Sequence, residues 1–280
     1  MGTRTPDMGK SLRRVIYGPV PSWRLGRSLG VDMVSQQAKT CSFSCAYCQL
    51  GPTHIRSAQR REFVPLDRVI VELDALPQLE VDTVTFSGTA EPTLAANLGE
   101  AITAVREHLS APVAVLTNSS LMSDPKVRAD LALADVVVAK LDAPTEALFR
   151  EVNRPAPGIT LTRIVEALRL FRQEYHGRLA LQMMFFAANE SCAEALAALA
   201  REVSPDEVQV NTPLRPCAVQ PLPPETIGRI QQALGGLRVV SVYEARRPKV
   251  DPLDVQETAA RRPESRLEGP AHAGLGSKSM

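Results

Sequence analysis

Residues 41–48, which read CSFSCAYC, decide the fold of this 280-residue chain. Cys41, Cys45 and Cys48 place three thiols within eight residues, in the spacing Cys-x3-Cys-x2-Cys. A loop this short can wrap three thiolates around one inorganic centre, which is how iron–sulfur clusters are held. Four thiols would saturate a four-iron cluster. Three leave one iron with an open coordination position, and an open position indicates chemistry rather than scaffolding alone.

Zinc and a disulfide are the alternatives to an iron–sulfur cluster. Structural zinc is tetrahedral and needs a fourth ligand. The nearest candidate is His54, whose offset from Cys48 does not match the usual paired spacing, and the chain has no second Cys-x2-Cys. Five cysteines, an odd number, with no secretory leader indicate a reducing compartment rather than disulfides. A cluster is therefore the favoured interpretation, with zinc as the main alternative.

With an aromatic residue directly before its third cysteine, the motif resembles the signature of the radical S-adenosylmethionine (SAM) enzymes. The resemblance implies that Cys41, Cys45 and Cys48 hold a [4Fe–4S] cluster, whose free iron takes the amino and carboxylate groups of SAM. It also implies that Tyr47 packs against the adenine of SAM. Such enzymes take an electron from flavodoxin or ferredoxin and cleave SAM to a 5′-deoxyadenosyl radical. That radical abstracts hydrogen from a substrate.

Strands and helices alternate along most of the chain with short connections, which predicts a parallel sheet with helices outside it. A first strand is predicted over 15–17, followed by a turn-rich connection over 18–22. From a strand over 31–34 onwards we count six strand–helix pairs, fewer than the eight of a closed barrel. The sequence therefore predicts an α/β fold with an open, partial (βα)6 barrel, and the family resemblance implies the same.

This core domain is expected over residues 14–250. Residues 1–13 are expected to be a flexible N-terminus. Residues 251–280 are polar and rich in Pro and Gly, with few apolar side chains to offset the cost of ordering them, so they are expected to be a disordered tail.

Polar residues follow the predicted strands at the same relative place, where functional residues of parallel α/β barrels collect. Family members carry a Gly-Gly-Glu-like turn after the second strand, and residues 87–93 are similar, although Ala90 replaces a glycine. Glu91 could bind the ammonium of SAM or favour a helix N-terminus. Gln182 could meet the ribose of SAM or bridge two strands. The resemblance implies SAM-binding roles for Ser87, Gly88, Glu91, Asn118, Ser119, Asp142 and Gln182.

Four further residues are candidates for substrate binding. Arg24 and Arg27 lie between glycines just before a strand, where they either form a solvated loop or aim guanidinium groups at an anion. Asn211 and Arg215 follow the last core strand, on the side where a substrate would approach. Nearby Cys217 is the candidate catalytic residue, as a hydrogen donor, thiyl-radical site or extra cluster ligand. The alternative for Cys217 is a small buried apolar residue.

The composition of the chain limits which kinds of partner it is expected to bind. Its 32 basic and 31 acidic residues give a formal net charge of +1, and 4% of residues are aromatic, so no general attraction to nucleic acid or anionic membrane follows. No apolar run has the length of a membrane-spanning helix, and the N-terminus lacks the apolar core of a signal peptide. A cytoplasmic protein without a membrane partner is expected.

The run from GPVP at 18–21 to NTPLRPC at 211–217 resembles an iron–sulfur oxidoreductase branch of the radical SAM enzymes. That branch is distantly similar to the tRNA wyosine synthases. RNA modification is therefore an alternative to a reaction on a small or macromolecular substrate of another kind, although nucleic acid is the less favoured partner. A non-catalytic metal-binding scaffold is the alternative outside the enzymes.

Overall fold

The computed structural model describes residues 13–36 and 38–264, which contain ten strands, eight α-helices and two short 3-10 helices. The strands are β1 (Ile16–Ser22), β2 (Gly26–Val31), β3 (Thr40–Cys41), β4 (Ile55–Arg56), β5 (Thr83–Phe86), β6 (Val113–Thr117), β7 (Val136–Lys140), β8 (Arg178–Met184), β9 (Glu207–Asn211) and β10 (Val239–Ser241). The helices are α1 (Leu66–Asp74), α2 (Leu98–His108), α3 (Pro125–Leu131), α4 (Glu146–Val152), α5 (Leu161–Glu174), α6 (Ala193–Val203), α7 (Pro224–Ala233) and α8 (Val255–Arg261).

Eight of the strands form one sheet in the order β1-β2-β5-β6-β7-β8-β9-β10. Every neighbouring pair from β2 to β10 is parallel, and β1 alone pairs antiparallel to its neighbour. The order begins and ends on different strands, so the sheet is open rather than closed. The predicted α/β fold with an open, partial barrel is confirmed.

Helix α5 shows how the sequence places helices against this sheet. Thr160 caps its N-terminus by accepting from the backbone N–H of Arg163, at 3.4 Å. Leu168 and Phe171, three positions apart, lie on one side of the helix and are fully buried. Phe171 stacks on Tyr175, with 4.7 Å between ring centroids. Burying each such side chain stabilises the fold by about 1.5–3 kcal/mol.

Strands β1 and β2 differ from the prediction. The strand predicted over 15–17 continues through the expected turn to Ser22, because β1 is an edge strand with a register shift between Tyr17 and Val20. An edge strand tolerates the prolines of this segment, which cannot donate backbone hydrogen bonds. The strand predicted over 31–34 lies earlier, at Gly26–Val31. Gly30 is part of it because the ring of Tyr17 covers its backbone, where a Cβ would come within 2.1 Å.

Helix α8 (Val255–Arg261) lies inside the range for which a disordered tail was predicted, and that prediction is wrong for residues 251–264. Asp254 caps the helix by accepting from the backbone N–H of Glu257 at 2.9 Å. Arg261 is buried against Asp32, a partner 229 positions earlier that local composition cannot reveal. Residues 265–280, and residues 1–12 of the predicted flexible N-terminus, lie outside the described residues. Within the described ranges, no helix has both the length and the apolar character needed to cross a membrane.

Candidate active site

The loop that carries Cys41, Cys45 and Cys48 is fixed at both ends by backbone hydrogen bonds. Strands β3 and β4 pair where the loop begins and ends, with Thr40 opposite Ile55. Inside the loop, the backbone N–H of Ala46 donates to the carbonyl of Val152 at 2.8 Å, which ties the loop to the end of α4. The N–H of Cys48 donates to the carbonyl of Cys45 at 3.1 Å. These bonds turn the three cysteines toward one side.

Each of the three sulfur atoms lies next to one nitrogen donor. The Nζ of Lys39 is 3.0 Å from the Sγ of Cys48. The Nδ2 atoms of Asn118 and Asn153 lie 3.8 Å from the Sγ of Cys41 and 3.6 Å from the Sγ of Cys45. Hydrogen bonds to the sulfurs are one of the means by which proteins tune iron–sulfur clusters. The donor set therefore fits a group held by three thiolates.

Burial raises the pKa of Cys41 to about 11 and that of Cys45 to about 12. Without a bound metal these thiols stay protonated near neutral pH, so a metal centre is what would hold them as thiolates.

Zinc fits this site less well than an iron–sulfur cluster does. In the described part of the chain, no three His, Cys, Asp or Glu side chains, the three cysteines included, are spaced as ligands of one metal ion, as zinc requires. In a cluster, each thiolate binds a different iron. His54, the proposed fourth zinc ligand, is exposed.

A cavity of about 180 Å³ lies beside the thiols, and we refer to it as the thiol cavity. It opens at the carboxyl ends of β6, β7 and β8, where a parallel barrel collects its functional side chains. It is lined by Cys41, Cys45, Tyr47, Cys48, Ala90, Glu91, Leu116, Thr117, Asn118, Val138, Lys140 and Gln182. The structure thus brings together the three predicted cluster ligands and four of the predicted SAM contacts, Tyr47, Glu91, Asn118 and Gln182.

Glu91 is buried at the edge of the thiol cavity and accepts four hydrogen bonds. Three reach Oε1, from the N–H and hydroxyl of Thr93 and the hydroxyl of Thr117. The fourth runs from the N–H of Asn118 to Oε2 at 2.6 Å. Burial raises the pKa of this carboxyl, while the four hydrogen bonds oppose the shift. Glu91 therefore caps the short helical turn at Pro92–Leu94 and joins the ends of β5 and β6.

Asp142 holds Tyr47 instead of lining the thiol cavity. It accepts from the hydroxyl of Tyr47, from Nδ2 of Asn153 at 2.8 Å and from the N–H of Met184 at 2.9 Å. Burial, with the adjacent charge of Asp142, raises the pKa of Tyr47 well above its usual value. Ser119 is also a supporting residue, since its hydroxyl donates to the carbonyl of Lys140 at 3.0 Å. Neither Asp142 nor Ser119 borders the space predicted for SAM.

A second cavity, of about 260 Å³, adjoins the first and is called the arginine cavity here. The two cavities share Tyr47, Leu116 and Gln182 as lining residues. The arginine cavity is also lined by the predicted substrate residues Arg24, Asn211 and Arg215, and by Arg247, Arg261 and Arg262.

Ser87 and Gly88 were predicted as SAM contacts, and the structure places them in the wall of the arginine cavity. The Ser87 hydroxyl lies 3.0 Å from that of Tyr17. Gly88 has a φ of 152°, and a Cβ there would come within 2.3 Å of the Asp32 carboxyl carbon. Glycine is therefore required at this position by close packing as well as by backbone conformation.

Arg27 and Cys217 are not brought to either cavity. The register of β2 against β5 sets Arg27 beside Asp82, to which its Nη2 donates at 2.7 Å, and Glu80 provides a second carboxylate. Arg27 is thus a surface ion-pair residue and lines neither cavity. Cys217 donates from Sγ to the carbonyl of Val219 at 3.3 Å. No contact in the described structure supports a catalytic role for it.

Sequence reasoning missed several residues of the site. Lys39 stands two positions before the first cysteine, which was a usable signal. Lys140 donates to Oε1 of Gln182 at 3.1 Å and lies 4.8 Å from the Tyr47 ring centroid. Lys140 was noted with Asp142 at the end of a predicted strand, where the alternative was a lysine that reaches solvent, and it was assigned no role in the site. Asn153 and the arginines of the last described segment carry no comparable signal, because they reach the site only through tertiary packing.

The fold and this site define the class of the protein. Residues 38–200 match the model of the radical SAM superfamily, so the chain belongs to that superfamily. It is similar to a UPF0026 protein of Synechocystis, with 41% identity over 215 residues, covering 76% of this chain and 80% of the relative. The predicted family is thereby confirmed. So is the pair of cofactors, a [4Fe–4S] cluster and SAM, which this superfamily uses.

Solved structures share the fold at low sequence identity. SuiB of Streptococcus suis bound to its precursor peptide SuiA superposes with a TM-score of 0.58 at 15% identity, covering 77% of this chain. The chain spans 48% of the length of that SuiB chain. TYW1 with a lysine–pyruvate adduct bound gives a TM-score of 0.57 at 15% identity, covering 74% of this chain and 72% of TYW1. These likenesses concern the barrel alone.

Proposed function

We propose that Cys41, Cys45 and Cys48 hold a [4Fe–4S] cluster, that SAM binds beside it in the thiol cavity, and that the substrate binds in the arginine cavity. The observation that carries this proposal is the wall shared by the two cavities at Tyr47, Leu116 and Gln182. When bound, the cluster and SAM supply a 5′-deoxyadenosyl radical that abstracts hydrogen from the substrate.

The residues around the thiols position and stabilise charge. Lys39, Asn118 and Asn153 each offer a nitrogen donor to one sulfur, which favours the thiolate form. Glu91 fixes the backbone of Asn118 and thus the direction of that donor. Tyr47 is held edge-on to Phe186, with 6.0 Å between ring centroids, so its position beside the cavity is set before any ligand arrives.

Gln182 lines both cavities. Its Oε1 accepts from Lys140, whereas its Nε2 is buried and has no hydrogen-bond partner within the described structure. A buried amide nitrogen without a partner costs about 1–3 kcal/mol. We assign this donor to a bound group at the junction, either the ribose of SAM or the substrate.

Beyond hydrogen abstraction, the reaction is proposed to be of the oxidoreductase type, with flavodoxin or ferredoxin as the electron donor. Five free cysteines support a reducing compartment, and we propose the cytoplasm. Both proposals rest on family membership and thiol chemistry.

The proposal is tested by anaerobic reconstitution of the full chain, reduction with dithionite and quantification of 5′-deoxyadenosine formed from SAM. We expect four irons and four sulfides per chain and continued formation of 5′-deoxyadenosine. The Cys45→Ala variant should lose the activity, whereas the matched Cys192→Ala variant, whose thiol lies at the start of α6, should retain it. One zinc per chain with no sulfide would favour the scaffold interpretation and refute the proposal.

A further inference from the structure

The lining of the arginine cavity has a one-sided charge. Five guanidinium groups reach it from four separate segments of the chain: Arg24, Arg215, Arg247, Arg261 and Arg262. None of the five is exposed. No Asp or Glu is among the residues that line this cavity in the described part of the chain. Like charges repel one another, so a cluster of this kind forms only if something offsets its cost.

Three of the five arginines donate to protein acceptors at 3.0 Å or less. Arg261 donates from Nε to Asp32 at 3.0 Å and from Nη1 to Glu257. Arg215 donates to the carbonyl of Pro263 at 2.8 Å, and Arg262 donates to that of Pro21 at 2.6 Å. These contacts fix the three side chains in the cavity wall. Arg247 has a longer contact, from Nη2 to the carbonyl of Val242 at 3.5 Å, and in Arg24 and Arg247 the Nε atom is the donor that the described chain leaves without a partner.

Arg24 and Arg247 both have an unused donor. Their Nε atoms are buried and, within the described structure, have no hydrogen-bond partner. Burial, together with the charge of nearby Arg262, lowers the pKa of Arg24 to about 10, so the group remains charged near neutral pH while being poorly solvated. Buried donors of charged groups are costly to leave unpaired, and a ligand that accepts from them recovers this cost on binding.

We propose that the arginine cavity binds a small organic anion carrying at least two negative charges, on carboxylate or phosphate groups, as the substrate of this enzyme. A guanidinium fork matches both groups. The volume of about 260 Å³ suits a compact molecule rather than a nucleic-acid strand. That the anion is the substrate rests on the proposed function. The anion site itself is inferred from the lining residues alone.

The position of the anion follows from the distribution of the arginines. Arg24 and Arg247 lie with Trp23 in the wall of this cavity, whereas Tyr47 and Gln182 mark its junction with the thiol cavity. The Arg24 guanidinium lies over the Trp23 ring, 5.0 Å from its centroid. The charged groups of the ligand therefore bind at the arginines, and its uncharged carbon atoms extend toward the junction, where hydrogen abstraction would occur.

Trp23 provides a direct readout, because it is the single tryptophan of the chain. The full chain, reconstituted and supplied with SAM but with no reductant, is titrated with sodium phosphate, with succinate and with glycerol at constant ionic strength. Binding is followed by calorimetry and by Trp23 fluorescence. We expect saturable binding of phosphate, succinate or both, with a change in fluorescence, and no binding of glycerol. Which anion binds more tightly distinguishes a phosphate from a carboxylate substrate.

The variants Arg24→Gln and Arg247→Gln should each weaken anion binding about tenfold or more, as expected for the loss of a charged hydrogen bond. Arg27→Gln is the matched control, because Arg27 is paired at the surface with Asp82, and it should bind anions as the parent does. Far-ultraviolet circular dichroism checks that each variant is folded, and the parent titration decides the question if one is not.

The inference is overturned if neither anion binds saturably, or if Arg27→Gln weakens binding as much as the other two variants. The outcome is separable from that of the proposed function. Formation of 5′-deoxyadenosine without anion binding would refute the anion site alone. Anion binding without 5′-deoxyadenosine would refute the radical SAM activity alone.

Discussion

Arg261 in helix α8 donates from Nε to Oδ2 of Asp32 at 3.0 Å, and the two side chains are 0% and 2% exposed. Asp32 also accepts from the N–H and hydroxyl of Thr89, in the turn after β5. One carboxylate thus links the C-terminal helix to the turn that carries Ser87 and Gly88. The wall of the arginine cavity depends on this ion pair.

Removing Arg261 should destabilise the protein strongly. Arg261→Met leaves the charge of Asp32 buried without its partner, which costs about 3–5 kcal/mol in other buried pairs. Urea unfolding followed by circular dichroism measures the change in the free energy of unfolding. The double variant Asp32→Asn/Arg261→Met should recover part of the loss, since no unpaired charge remains. A change below about 1 kcal/mol in the single variant would mean that α8 does not pack against the barrel in solution.

Gly88→Ala should destabilise the turn after β5, because the new Cβ would come within 2.3 Å of the Asp32 carboxyl carbon. Overpacking of this kind costs about 1–3 kcal/mol in addition to any backbone strain. Gly158→Ala is the control, since Gly158 has a φ of 85° but a Cβ added there would have no atom within 4 Å. We expect the loss of unfolding free energy to be larger for Gly88→Ala. Equal losses of unfolding free energy in the two variants would mean that backbone strain alone, and not the contact with Asp32, requires glycine at position 88.

Glu91→Gln should weaken the joint between β5 and β6. An amide keeps one oxygen for its four donors, and its NH2 group then faces at least one of them, such as the N–H of Asn118. Leaving a buried donor unsatisfied costs about 1–3 kcal/mol. Glu107→Gln, an exposed change on α2, should alter the free energy of unfolding by less than about 0.5 kcal/mol. Chemical denaturation of the two variants side by side measures both changes. Equal changes in the free energy of unfolding would contradict the role of Glu91 in joining β5 to β6.

Lys39→Met should make the cluster harder to reduce. The ammonium group lies 3.0 Å from the Sγ of Cys48 and favours the more negatively charged, reduced state of the cluster. We therefore expect a more negative midpoint potential in a spectroscopic redox titration, at unchanged iron content. Lys126→Met, on the exposed start of α3, should leave the potential where it is in the parent. A positive shift of the midpoint potential, or the same shift in both variants, would mean that Lys39 does not stabilise the reduced cluster.

The sequence predicted the site best where chemistry and topology coincide. Asn118 and Gln182 were predicted at the ends of parallel strands, where polar residues converge at one edge of the sheet, and both line the thiol cavity. The three cysteines were predicted as ligands from their spacing, and all three line that cavity. Arg24 and Arg27 lie in one short loop and could not be told apart, because only the register of β2 against β5 sets Arg27 beside Asp82.

The tail was the main error, for a related reason. A segment poor in apolar residues is expected to be disordered unless it gains a specific buried interaction. Arg261 gains one from Asp32, across 229 positions of sequence, and nothing local to either residue announces it. Asp142 and Ser119 show the converse case. Both follow a strand as functional residues do, yet their side chains hold other residues of the site in place.

The central claim is that three thiols hold a cluster whose fourth iron is left for SAM. Electron paramagnetic resonance of the reconstituted, dithionite-reduced protein, recorded with and without SAM, tests it most directly. We predict a reduced-cluster signal whose g-values change when SAM is added, and the loss of that signal in the Cys41→Ala, Cys45→Ala and Cys48→Ala variants. A signal that SAM leaves unaltered, or one that survives removal of these thiols, would contradict the account.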